Sequence, residues 1–199
     1  MSVLNVKNKR PFIIGLTGGI ATGKSSVINR LKQANISVVD SDEIVDQLWR
    51  TDRDLNNSVS IEFKIPFPID KKKLGKLVFN DPNRLKRLNE IIHPKVFKVI
   101  DEYVSKNMHL DIIVIDMPLL FEVNYQKIDL SVLVYATQNQ QLERLMARDK
   151  LSKVEAKRRI ELQMPINQKL FRADYVIYNN DTLDKLAEET KIFIEKLGV

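Results

Sequence analysis

A doubly wound α/β domain is the fold this sequence predicts, with a parallel sheet covered by helices on both faces. Three observations point there. Short apolar, β-branched runs alternate with amphipathic stretches along the chain. The first of these runs opens into glycines and then into a helical pattern. The 199 residues, 44% hydrophobic and 29% charged, suit one ordinary soluble globular domain with inserted lobes.

The elements follow in order. PFIIGLT (11–17) reads as a buried parallel strand, and residues 23–34 as a helix with Val27, Ile28 and Leu31 on one face. ISVVD (36–40) is a second strand, with Ser41 and Asp42 offering cap chemistry for a helix through Trp49. Residues 51–70 read as irregular, because Pro66 and Pro68 forbid a helix there. KKKLGKLVF (71–79) and residues 81–107 read as helices, the second bent at Pro94. DIIVID (111–116), LSVLVYA (130–136) and ADYVIYN (173–179) are three further strands. Between the last two, residues 138–164 form a charged helical pair broken near Leu151-Ser152. A final amphipathic helix is capped by Asp181 and carries Leu183, Leu186, Ile192 and Ile194.

Composition removes whole classes of chemistry. With no cysteine there is no disulfide framework, thiolate metal site or cysteine nucleophile. Two histidines, His93 and His109, do not make a multi-histidine metal centre. No apolar run reaches the roughly 18–20 residues that span a bilayer, and the first residues show no leader with a cleavage site. The expected location is therefore the cytoplasm, with no membrane partner. The net charge of +6 suits a nucleic acid, an anionic membrane surface or a polyanionic small substrate. Basic residues gather at Lys71, Lys72, Lys73 and Lys76, and again at Arg144, Arg148, Lys150, Lys153, Lys157, Arg158, Arg159, Lys169 and Arg172. Solvated helix faces would explain either cluster taken alone.

One motif is decisive. Residues 18–25, Gly18-Gly19-Ile20-Ala21-Thr22-Gly23-Lys24-Ser25, match G-x-x-x-x-G-K-S in full. Glycines let backbone N–H groups approach phosphate oxygens, and the helix that follows adds its positive end. Lys24 is expected on the β- and γ-phosphates, and the Ser25 hydroxyl on Mg²⁺. A guanine-reading N-K-x-D is missing, and Asp116 is followed by Met117-Pro118-Leu119 rather than by D-x-x-G, which argues against a GTPase. A small chain with basic helices over the loop fits a kinase, which must exclude water during phosphoryl transfer.

Carboxylates stand at the carboxyl ends of the predicted strands, where open α/β sheets bind ligands. Asp40 could take the proton of an attacking hydroxyl, while Asp42 serves equally well as a helix cap. Asp116 could hold Mg²⁺ through water or bind a substrate ribose. Arg144, Arg148 and Arg159 are candidates to close on the phosphates. His93, in an apolar helix, reads as a structural histidine, and Trp49 and the phenylalanines as core. At this point a nucleoside or nucleoside monophosphate kinase remains open. A nucleic-acid-binding module is disfavoured, since no recognition motif is present.

The remaining motifs narrow the field. GLTGGIATGKS (15–25) is similar to GLTGGIGSGKS of the dephospho-CoA kinase family, and VVDSD (38–42) to its V-x-D-A-D. IDKKKLGKLVFNDP (69–82), IIHP (91–94) and DMPLLFE (116–122) each resemble a further segment of that family. Gln141, Arg148-Asp149, Arg159, Gln163 and Ala173-Asp174 follow its lid, and Asn179 matches the asparagine after its last strand. The resemblance implies that ATP, with Mg²⁺, phosphorylates the ribose 3′-hydroxyl of dephospho-CoA to give coenzyme A and ADP, the last step of coenzyme A synthesis. It implies Asp40 as base, with Lys24 and Arg144 as the other catalytic residues. ATP would lie on Gly19, Ile20, Ala21, Thr22, Gly23, Lys24, Ser25, Ser26 and Asn179, the last near the adenine. The acceptor would meet Thr17, Asp40, His93, Asp116, Leu119, Leu120 and Phe121.

The implied architecture is a three-layer P-loop kinase fold. It has a five-stranded parallel sheet with helices on both faces, plus helical substrate-binding and lid lobes. The core would take residues 11–50, 108–137 and 173–199, the substrate-binding lobe 51–107 and the lid 138–172 of a single domain. A monomer or weak homo-oligomer is expected. The chain departs from the family where Lys71 stands for arginine, Phe63-Lys64 for Phe-Gly and Ala21-Thr22 for Gly-Ser, and the stretch 51–68 is shorter than usual.

Overall fold

The computed structural model describes residues 10–78 and 81–198. The last predicted residue of the 71–79 helix, Phe79, lies outside them, as do Asn80, Val199 and residues 1–9. Five strands, β1 (Phe12–Gly18), β2 (Ser37–Asp40), β3 (Ile112–Asp116), β4 (Leu130–Tyr135) and β5 (Tyr175–Tyr178), form one sheet in the order β2-β3-β1-β4-β5. β1 runs parallel to β3 and β4, and β4 parallel to β5. The apolar runs are explained by this arrangement: a parallel strand covered on both faces has no polar side to show. The five residues of β3 are all buried, and so are six of the seven in β1.

Register sets the site. Leu16 pairs with Asp116 and Gly18 with Val134, so β1 and β3 end near each other and their carboxyl ends share one edge. At Gly15 a Cβ would come within 2.9 Å of the Leu120 side chain and 3.0 Å of Ile128, so both side chains lie close against the bare glycine as the chain after β3 passes over β1. β1 is anchored at its start by Asp129, which accepts two bonds from the Arg10 guanidinium at 2.7 Å and one from the Ile13 N–H at 2.8 Å.

The described residues divide into two compact units, one of residues 10–39 with 107–198, the other of residues 40–78 with 81–106. In the first, α1 (Lys24–Gln33) and α9 (Leu183–Leu197) are adjacent on the sheet. Val27, Leu31, Leu186, Phe193 and Leu197 form one core with Ile14, Leu16, Val114, Val132, Val134 and Ile177. Each such fully buried Leu, Ile or Val contributes about 1.5–3 kcal/mol from its removal from water. Helices α6 (Gln138–Asp149) and α7 (Lys153–Glu161) build a satellite core of Leu145, Ala156 and Ile160, on which Ile20 and Ala21 of the glycine loop pack. Both helices begin with a capping box, Thr137 with Gln140 and Ser152 with Glu155. A five-residue helix, α8 (Ile166–Leu170), which the sequence pattern does not announce, leads into β5.

The second unit is helical, with α5 (Pro82–Lys106) as its spine against α2 (Ser41–Thr51), α3 (Arg53–Phe63) and α4 (Lys71–Val78). Its buried residues include Ile44, Leu48, Leu55, Val59, Leu74, Leu88, Ile92, Val96 and Ile100. Lys95 pairs with Asp52 at 2.7 Å, and Arg87 with Glu62 at 3.2 Å.

Three expectations are corrected here. Residues 51–70 are not irregular throughout: α3 fills 53–63, capped by Asp52, and the prolines lie beyond its end. The cap of α2 is Asp40 rather than Ser41 or Asp42, and that of α9 is Thr182 rather than Asp181. As expected, Pro94 lies inside α5. Among the described residues no helix is long and apolar enough to cross a membrane.

Candidate active site

The glycine loop lies between the end of β1 and the start of α1. Gly18 cannot carry a Cβ, which would lie 2.6 Å from the Thr22 hydroxyl and 3.2 Å from the Val134 carbonyl. Gly23 has φ 91°, the left-handed region that glycine enters without a steric penalty. Thr22, buried, donates through its hydroxyl to the Gly19 carbonyl at 2.9 Å and so fixes the loop from inside. No side chain caps α1 and its first turn carries no acid, so the positive end of the helix meets the loop, with the Ser26 N–H on the Gly23 carbonyl at 3.0 Å. Ser25 is exposed in that first turn.

The Lys24 ammonium forms an ion pair with the carboxylate of Asp116, which is 3% exposed at the end of β3. Buried Thr17 donates to the Pro118 carbonyl at 3.0 Å, tying the end of β1 to the turn that follows β3. In that turn Leu119 is 38% exposed and Phe121 half-buried, whereas Leu120 is buried against Gly15 and faces the sheet. Leu120 therefore seats the turn instead of lining open space.

Asn179 is the hub on the other side of the loop. Its amide donates to the Thr22 carbonyl at 2.8 Å, and its carbonyl oxygens receive Arg144 Nη2 at 3.1 Å (main chain) and 3.4 Å (side chain). Arg144 Nη1 is buried and has no hydrogen-bond partner. A buried guanidinium nitrogen left unpaired is costly, so this one calls for an explanation beyond packing. Gln163 accepts the Ile20 N–H at 2.8 Å, and Gln141 is buried with its amide on the Ala136 carbonyl at 3.0 Å. Arg148 and Arg159 converge on Asp149, at 2.7 and 2.9 Å. Chiefly through the hydrogen bond from Arg148, Asp149 is held below the usual carboxylate range.

In the helical unit, Asp40 Oδ1 accepts the N–H groups of Asp42 at 2.8 Å and Glu43 at 3.1 Å. His93 is half-buried and stacked on Phe97, ring centroids 5.8 Å apart, and burial pushes its imidazole below the ordinary value. Lys71 pairs with Asp46 at 3.2 Å and lies over the Trp49 ring, 5.8 Å from its centroid.

Sequence reasoning missed Lys169. Counted among solvated basic residues, it is instead fully buried, 2.9 Å from Glu122. The available signal was Pro165, which caps a short helix whose fourth residue turns inward.

The profile of the dephospho-CoA kinase family matches residues 12–185. The chain belongs to the dephospho-CoA kinase family. This enzyme is 34% identical over 194 residues to the dephospho-CoA kinase of Lactobacillus acidophilus, with 94% of this chain and 97% of that one covered. It resembles the crystal structure of TT1252 from Thermus thermophilus, with 32% identity, a TM-score of 0.81, and 94% and 98% of the two chains covered. It also resembles dephospho-CoA kinase from Campylobacter jejuni, with 27% identity, a TM-score of 0.66, and 93% and 96% covered. The family is one of kinases that use ATP to phosphorylate dephospho-CoA, the last step of coenzyme A biosynthesis.

Proposed function

We propose that the kinase carries out its transfer at the carboxyl ends of the strands, with ATP held by the glycine loop. The observation that carries this reading is the Lys24–Asp116 pair at the uncapped start of α1. It puts a cation, a helix start that no side chain caps and a strand-end carboxylate together, as phosphoryl transfer requires. Gly19, Ile20, Ala21, Thr22, Gly23, Lys24, Ser25 and Ser26 cradle the phosphates, through backbone N–H groups other than those of Ile20, Thr22 and Ser26, which bond to Gln163, Gly19 and Gly23. Arg144 and Asn179 hold the nucleotide, and the unpaired Nη1 of Arg144 supports that role.

On the acceptor side we assign Thr17, Asp116, Leu119, Phe121 and His93, with Leu120 seating the turn. The 3′-hydroxyl oxygen attacks the γ-phosphorus as the bond to the β–γ bridging oxygen breaks, releasing ADP. The hydroxyl proton passes to Asp40, whose Oδ1 is committed to the α2 cap, which leaves Oδ2 to receive it. Support for Asp40 comes from the VVDSD match and its place at a strand's carboxyl end.

Mg²⁺ suits the hard oxygen donors available, the exposed Ser25 hydroxyl and the Asp116 carboxylate, which would hold it. When bound it would neutralise phosphate charge. The same reading has the residues 51–107 and 138–172 serve as substrate-binding and lid lobes of a monomer or weak homo-oligomer in the cytoplasm, without a nucleic-acid partner.

The test is ADP release with Mg-ATP in the presence of dephospho-CoA, AMP, CMP or adenosine, with the product weighed by mass spectrometry. Stimulation by dephospho-CoA alone, with a product heavier by one phosphate, is expected. Turnover with a monophosphate instead would refute the acceptor assignment while keeping the roles on the loop.

A further inference from the structure

Lys169 is a fully buried charge that the reaction as described above does not use. Its ammonium donates to the Pro118 carbonyl at 2.7 Å and pairs with Glu122 Oε1 at 2.9 Å. The same two acceptors have second partners: Pro118 O receives the Thr17 hydroxyl at 3.0 Å, and Glu122 Oε1 receives the Met164 N–H at 3.0 Å. One ammonium thus pins both ends of the turn 118–122. Its fellow donors are the residue before the glycine loop and the chain that leaves α7. The arrangement is not the cheapest way to fill the space. A buried ion pair costs more desolvation than an apolar side chain of the same size, so packing alone does not call for a lysine here. Burial and the nearby positive charge of Lys24 both work against the ammonium, and Glu122 works for it. A carbonyl and a carboxylate held by one donor give the turn a fixed height and orientation that apolar contacts would not.

We infer that Lys169 is a positioning residue for the acceptor: it sets the turn that presents Leu119 and Phe121 beside Asp116, and Glu122 is its partner in doing so. This rests on the proposed reading of that turn as part of the acceptor site. Lys169 acts through the turn and touches neither phosphate nor base.

The experiment is steady-state kinetics of Lys169→Met, Glu122→Gln and the double variant, with ATP and dephospho-CoA varied separately. Lys169→Met should raise the KM for dephospho-CoA by about 10-fold or more, with the KM for ATP within about 2-fold of wild type. Glu122→Gln should shift the same parameter in the same direction by a smaller factor. The double variant should be no worse than Lys169→Met, since the two act as a unit. Unchanged KM values in a folded Lys169→Met, or equal rises in both, would overturn the inference. If Lys169→Met does not fold, Glu122→Gln, which keeps the shape, decides by the same split. A wild-type enzyme inactive on dephospho-CoA would overturn the acceptor reading and this inference with it. An active wild type with indistinguishable variants would sink the inference alone.

Discussion

The Lys24 ammonium and the Asp116 carboxylate pair across the edge of the sheet, joining the first residue of α1 to the last residue of β3. Both are largely shielded from water, so neither charge can be removed without consequence for the other. Lys24→Met should take the cation away from the buried Asp116 carboxylate and lower stability by about 3–5 kcal/mol. Lys24→Met with Asp116→Asn should recover most of that in urea denaturation, yet turnover should stay about 10²–10³-fold down in both variants. A double variant with near-normal ADP release would remove Lys24 from the phosphates.

Arg144 makes its bonds to Asn179 through Nη2 and leaves Nη1 buried without a partner. Arg144→Ala should lower kcat/KM for ATP by about 10²-fold, and Arg144→Lys should not restore it, because an ammonium lacks the planar fork that reaches both acceptors. An Arg144→Lys enzyme with wild-type kinetics would show that charge alone suffices.

His93 gives a pH prediction with a definite sign. Burial against Phe97 holds its pKa below the ordinary 6.5. As pH falls through that value the unfolded chain takes up a proton before the folded one does, so acid favours unfolding. The stability contributed by the neutral imidazole is present above about pH 6.5 and falls below it, by at most about 1.4 kcal/mol per pH unit. The decline ends once the pH passes below the folded-state pKa. Urea midpoints at pH 7.5 and 5.5 should show this loss for wild type and a smaller one for His93→Gln. Equal losses would assign the acid sensitivity to other groups.

Lys64 ends α3 at φ 53°, ψ 41°, a left-handed conformation that costs a side chain energy. Lys64→Gly should stabilise the protein by about 0.5–1 kcal/mol, after the extra entropy of the unfolded glycine is allowed for. A lowered urea midpoint would contradict this. Ala21 has the same sign of φ, 59°, inside the glycine loop. At both positions the family resemblance points to glycine, so the departures seen in the sequence are also points of backbone strain.

Much of the fold and of the loop was legible because the signals are local. A strand buried on both faces must be written in apolar residues, and a phosphate loop in glycines followed by Lys-Ser. α3 was hidden because Pro66 and Pro68 were read back over residues that precede them, while its true limits, Asp52 and Lys64, carry weak signals. Asn179 and Thr22 meet across 157 positions, which no window along the chain can show. Lys169 was misplaced for a similar reason: a count of charges cannot tell a solvated lysine from one buried on Glu122. Its environment is made by the turn after β3, far from it in sequence.

The central claim, that a carboxylate at the end of β2 takes the acceptor's proton at a glycine-loop site, is tested most directly on Asp40→Asn at saturating ATP and dephospho-CoA. The asparagine can still accept the N–H groups of Asp42 and Glu43, so the cap survives while the base is lost. We expect kcat to fall by about 10²–10⁴-fold with the KM for ATP nearly unchanged. A loss confined to KM, with kcat intact, would make Asp40 a binding residue and contradict the account.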